Sequence, residues 1–143
     1  MTDRFVAVLV ADEIYYNLHG KAILQGIYNA DIVLASEEQQ TAQLVCLFMV
    51  ETDIANPFRS LQVQVTLPGN APISSQVPVQ WPPAPNMPSD RKKMFVKWPL
   101  LIPAPVLRPG QIEAKAIHES GEIIAAMPWI VSPQTMQGTT KIQ

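Results

Sequence analysis

Cysteine occurs once in the 143 residues, as Cys46, so no internal disulfide can form and nothing points to an oxidising compartment. Its setting, Leu44-Val45-Cys46-Leu47-Phe48, suits a small buried hydrophobe, and an apolar strand raises a thiol's pKa and so disfavours a nucleophile. Histidine is limited to His19 and His118; with no HxxxH or CxxC spacing they make no zinc ligand set, and both read as surface turn residues. Charge is sparse, at 15% of residues with a net value of −2, a field too weak for general nucleic-acid binding. Long apolar runs are missing as well. The longest, residues 5–11 and 44–50, fall far short of the ~20 residues that cross a bilayer as a helix. The first fails as a leader because Asp3 spoils a basic start and Asp12-Glu13 stand where small residues should prepare cleavage. A cytoplasmic protein with no membrane contact is the expectation.

What is present is a period of two. Leu61, Val63, Val65 and Leu67 alternate with Gln62, Gln64 and Thr66, so one set meets a core and the other water. From Arg108 to Val131 the pattern predicts a hairpin: Pro109-Gly110 makes a turn, Ile112, Ala114 and Ala116 face inward, His118 to Glu122 form the loop, and 123–131 return as one strand. Residues 5–13 are nearly all apolar, which predicts a strand buried on both faces or central in its sheet. Residues 21–28 and 32–34 read as a second hairpin-like unit, and 41–52 as another strand. In 73–81 Pro78 argues for a sheet edge, because proline cannot donate to a ladder. Residues 93–103 place Lys93, Phe95 and Lys97 on one side and Met94, Val96 and Trp98 on the other.

Short strands, close turn signals and no helical period predict an all-β fold. The architecture expected is a single β-sandwich, immunoglobulin-like or C2-like, of roughly seven to nine strands, with a closed barrel as the alternative. The domain should span 1–133, with a polar tail over 134–143. A chain of this length buries roughly 68–70% of its unfolded surface, enough for one core.

Proline is unevenly spread, with most of the fourteen between Pro68 and Pro109. Trp81-Pro82-Pro83-Ala84-Pro85 opens a stiff, polyproline-like loop over 82–90. Such a loop loses little conformational entropy on binding and Trp is enriched among interface anchors, so Trp81, Pro82, Pro83 and Pro85 are the candidate protein-contact residues. The same segment would equally blunt a sheet edge, with Trp81 folded back as a lid.

Chemistry-bearing patterns are weak. Gly20-Lys21 lacks the upstream Gly, the following Ser or Thr and the helix of a phosphate loop. Asp12, Glu13, Asp31, Glu51 and Asp53 fall at strand ends, where sandwiches gather calcium ligands, but without Asp-x-Asp clustering. Arg91-Lys92-Lys93 with Phe95, Lys97 and Trp98 mixes cations and aromatics as single-strand binders do, yet an amphipathic strand explains it. No catalytic residue, metal site or cofactor is expected.

Ala11-Asp12, Gly20-Lys21, Gly26-Ile27-Tyr28 and the later Pro109-Gly110 resemble a family of small bacterial proteins known only as a domain of unknown function. The resemblance implies a compact β-sandwich with no assigned activity and carries over no site residues. The function expected is a non-enzymatic binding or assembly module working through a protein partner or as a homo-oligomer. The alternatives are an enzyme whose site is assembled from strand-end groups such as Asp12, Asp31 and His19, or a structural subunit of a larger particle.

Overall fold

The computed structural model describes residues 4–79, 90 and 92–133. Trp81, Pro82, Pro83 and Pro85, the rest of the 82–88 segment and the 134–143 tail lie outside the described residues. The strands in chain order are β1 (Phe5–Tyr16), β2 (Ala22–Ile27), β3 (Ile32–Val33), β4 (Gln39–Gln40), β5 (Gln43–Asp53), β6 (Leu61–Thr66), β7 (Ile73–Gln76), β8 (Lys93–Pro103), β9 (Val106–Leu107), β10 (Gly110–Gln111), β11 (Glu113–His118), β12 (Gly121–Ala125) and β13 (Trp129–Val131).

Two four-stranded sheets form the sandwich, one ordered β2-β1-β5-β8 and the other β12-β11-β6-β7. A small three-stranded sheet, β10-β13-β3, and the β4-β9 pair complete the layers. The molecule is an all-β sandwich, and among the described residues no sheet closes into a barrel. Alternation explains the packing. Val6, Val10, Leu44, Phe48, Val50, Leu100 and Ile102 point inward from the larger sheet, and meet Leu61, Val63, Val65, Ala114 and Ala116 from the smaller one. Trp98 turns inward too, its Nε1–H donating to Ser75 Oγ at 3.0 Å and tying the two layers together.

Two expectations are corrected. The strand from 123 does not run to 131: β12 stops at Ala125 and the chain crosses to the three-stranded sheet, where β13 pairs with β10 and, in parallel, with β3. Pro128 lies in that gap, and a residue without an N–H cannot continue a ladder with β11. Residues 21–28 do not pair with 32–34; β2 pairs antiparallel with β1. β1 is central in its sheet as expected, but only one of its faces is in the core, since Phe5 and Leu9 are exposed.

β8 is an edge strand that pairs only with β5 among the described residues. Pro99 lies opposite Leu47 and Pro103 opposite Gln43. Neither proline has an N–H, so both pairs are of the non-hydrogen-bonded kind and the backbone at 99 and 103 faces the open side of the sheet.

Candidate interaction surface

The odd-numbered residues of β1, β5 and β8 point away from the core and stack in register. Phe5, Glu51 and Phe95 make one row, Ala7, Met49 and Lys97 the next, then Leu9, Leu47 and Pro99, then Ala11, Val45 and Leu101 beside Ile27 of β2. Rows of this kind bring side chains within contact distance across strands. Ala11 and Val45 on this side are fully buried and belong to no part of the sandwich core. Phe5 (57% exposed), Phe95 (54%), Leu101 and Leu9 remain open. At ~3.4 Å per residue and ~4.8 Å between strands the face measures roughly 20 Å by 15 Å, or about 300 Å² in projection. Within these rows the charges are Glu51 and Lys97, with Lys97 Nζ 5.8 Å from the centre of the Phe95 ring, and the Asp53–Lys93 ion pair forms the next row beyond Phe5.

The same face continues onto a projecting arm. β5 pairs with β1 only as far as Ala11, so Glu13 to Tyr16 pair with β2 alone. Tyr15 and Ile23 are a cross-strand pair on the outward side, about half exposed, and the Tyr15 hydroxyl donates to the Glu13 carboxylate. The turn at the tip is rigidly held. Gly20 N–H donates to Asn17 O at 3.0 Å, Asn17 N–H to Lys21 O at 2.9 Å, and Asn17 Oδ1 accepts from His19 N–H (2.9 Å) and Lys21 N–H (3.0 Å). That turn presents Leu18 wholly to solvent, at 102% exposure. At the root, Tyr28 Oη donates to Asp12 Oδ1 at 2.6 Å, and partial burial followed by this bond pushes the Tyr28 hydroxyl up to about 12. Gly26 sits at φ 72° against the Asp12 carboxylate, leaving no room for a Cβ.

A second polar cluster pins the start of β1 to the smaller sheet. Arg4, nearly buried, donates to His118 Nδ1 (2.9 Å), Thr52 Oγ1 (3.3 Å), Asn56 O (3.2 Å) and Pro57 O (3.1 Å), pairs with Glu119, and lies 4.3 Å from the centre of the Phe58 ring. Ser120 N–H also donates to His118 Nδ1, at 3.2 Å, and a Glu119 carboxylate oxygen lies 3.3 Å from the same nitrogen. His118 is therefore no surface turn residue. It ends β11 half-buried, and only His19 is exposed. Burial pushes the Glu119 carboxyl up, but the Arg59 N–H, the Arg4 guanidinium and the Ser60 N–H outweigh it and hold the group down at about 2. Sequence reading missed Arg4 altogether.

The strand-end groups do not converge. Asp12 is engaged by Tyr28, Asp31 Oδ1 accepts from Trp129 N–H at 2.9 Å, and Asp53 is paired with Lys93. Among the described residues no three His, Cys, Asp or Glu side chains group as a metal site. A depression of about 490 Å³ on the smaller sheet, lined by Glu113, Lys115, Glu122, Ile124 and Met127 among others, contains none of Asp12, Asp31 and His19. Burial pushes the Cys46 thiol up to about 12. Among the described residues no helix is long and apolar enough to cross a membrane.

No family model, curated protein or solved structure matches the chain. The outward apolar rows had a signal in the sequence: residues 5–11 and 44–50 are continuously apolar where a strand with one wet face would alternate.

Proposed function

We propose that this chain is a non-enzymatic binding or assembly module that works through protein–protein contact at the outer face of its larger sheet. The observation that carries the reading is the stack of apolar rows from Phe5 to Leu101, in which Phe5, Leu9, Met49, Phe95 and Leu101 are exposed. A contiguous apolar patch of roughly 300–600 Å² is the largest that a typical monomer exposes, and such a patch is often functional. The resemblance to the bacterial family of unknown function belongs to the same proposal, and the interlock of Asp12, Gly26 and Tyr28 gives its short motifs a structural reason. A cytoplasmic location goes with it, on the single cysteine.

A photo-crosslinking phenylalanine analogue at position 95, expressed in cells, tests this. Covalent adducts of higher mass should form at 95 and not at Ser74, an exposed position on the smaller sheet. No adduct at 95, or equal yields at both positions, refutes the reading.

A further inference from the structure

Residues 110–118 and their return, 121–131, fall out of step part-way along. Gln111 pairs with Trp129 and Ala114 with Ala125, so Ile112 and Glu113 face three residues, Ala126, Met127 and Pro128. This is a β-bulge, with one extra residue on the returning side, and it interrupts the rows of side chains on the outer face of the smaller sheet. Extending the β11–β12 register by one residue sets Ala126 beside Glu113, at the end of a row that starts with Thr66. A methyl group fills little of that place, and the depression of about 490 Å³ opens there. We infer that this depression is a binding site for a neutral saccharide, one pyranose ring seated over the bulge with its polar edge on Gln64, Thr66 and Gln111 and an apolar face toward Trp129.

Four observations carry it. The volume lies in the range of small-molecule sites, roughly 300–1,000 Å³. The polar lining mixes donors and acceptors: the Gln64 and Gln111 amides and the Thr66 hydroxyl each offer both, Glu113 accepts and Lys115 donates. A ring of hydroxyls, every one both donor and acceptor, matches a set in which neither kind dominates. Charge selects against ions of either sign. Among the described residues Lys115 is the one cation in the lining, and its Nζ already pairs with Glu122 Oε2 at 2.9 Å. Glu113 is exposed and stands two residues from Lys115 on the same side of β11, so water and that lysine both weaken its pull on a cation. Apolar surface is there too, from Ile124 and Met127 in the lining and from Trp129, which is the cross-strand partner of Gln111 and half exposed on the same side. The negative face of an indole ring suits the C–H face of a pyranose.

The groups are held ready by the sheets. Gln64 and Lys115 are ladder partners, and β13 carries Trp129 between β10 and β3 with its backbone N–H on Asp31 Oδ1 at 2.9 Å. Little has to be ordered on binding. Glu113, Glu122 and Ile124 are exposed, so the depression is open to water, and hydroxyls that find no protein partner stay hydrated. Hydrogen bonds exchanged for others in water give a single ring millimolar affinity. The site lies on the opposite side of the sandwich from the apolar rows of the larger sheet, and is independent of the contact proposed there.

The test is a nuclear magnetic resonance titration of the nitrogen-15-labelled full chain with glucose, galactose, mannose and N-acetylglucosamine, each in its own series, and with butylammonium chloride as a cationic control. At least one sugar should give saturable shifts at the Gln64 and Gln111 side-chain amides and the Trp129 indole N–H, while the backbone amides of Met49 and Phe95 on the other face stay in place. Trp129→Ala should weaken that binding about tenfold and Gln111→Ala about fivefold, the loss of one hydrogen bond. Gln111 is exposed, so its variant keeps the fold and decides the matter if Trp129→Ala does not. The inference is overturned if none of the four sugars saturates these signals, whatever butylammonium does, or if Gln111→Ala binds the sugar as tightly as wild type. Either failure leaves the crosslinking result at position 95, and the reading that rests on it, untouched.

Discussion

Replacing Arg4 by methionine removes the cation that joins β1 to the β11–β12 turn and leaves its acceptors behind. Two backbone carbonyls, Asn56 O and Pro57 O, lose a charged donor, His118 Nδ1 loses its shorter bond, and Glu119 loses its ion partner. Breaking a buried pair from one side costs about 3–5 kcal/mol. Glu119 is one-fifth exposed and keeps the Arg59 N–H, which puts the expected loss near the lower bound, about 3 kcal/mol. For a domain of this size each kcal/mol shifts the melting temperature by about 2–4 °C, so Arg4→Met should melt roughly 6–12 °C below wild type at neutral pH. The assay is thermal circular dichroism on Arg4→Met, Glu119→Gln and the double variant. Because both side chains belong to one network, the double variant should lose less than the sum of the singles. A single-variant melt within about 2 °C of wild type, or strictly additive losses, would refute the reasoning.

The other expectations are narrower. Glu119 has its folded pKa depressed to about 2 from an ordinary 4.5, so its contribution is complete above pH 4.5 and vanishes as pH falls through 2; the carboxylate is partly open to solvent, so screening holds it to about 1 kcal/mol. Denaturant titrations of wild type and Glu119→Gln across that interval should converge as pH drops. Gly26→Ala forces a Cβ into the Asp12 carboxylate at a positive φ and should destabilise by about 2–4 kcal/mol, with Asp12→Ala in the same chain recovering part of it. Phe48→Ala, at a fully buried site where the two layers meet, should cost about 3–5 kcal/mol in chemical denaturation. Cys46 should resist a thiol reagent at pH 8 until the fold opens, its labelling rate following denaturant concentration; rapid labelling of native protein would contradict its burial.

Much of the architecture could be read ahead of the coordinates wherever one face of a strand is wet. Leu61 to Leu67 and Ile112 to Ala116 alternate cleanly, and the structure buries the predicted set in each. The described residues form thirteen strands where roughly seven to nine were expected, eight of them in the two four-stranded sheets and the rest short. The reading failed where pairing depends on distant partners. Tyr15 and Tyr16 extend β1 far enough to meet β2, whereas local pattern stopped the strand at Glu13 and sought the partner downstream. Pro128 was visible, but that its chain segment moves to another sheet was not. Arg4 gave no local signal because its acceptors lie 48 to 115 positions away. The outward face was misjudged for a related reason: unbroken apolarity says that both sides of a strand avoid water, without saying whether the second side meets this chain or another molecule.

Pro99 and Pro103 bear on how such a molecule can multiply. A polypeptide with an uncovered greasy surface and a bare strand border has two ways to grow, stacking and lateral zippering, and together they build fibres. Two imino residues on that border remove N–H groups from the row a newcomer would need. On this border, then, lateral growth is the hindered route, and contact through the flat surface is the one the two residues leave untouched.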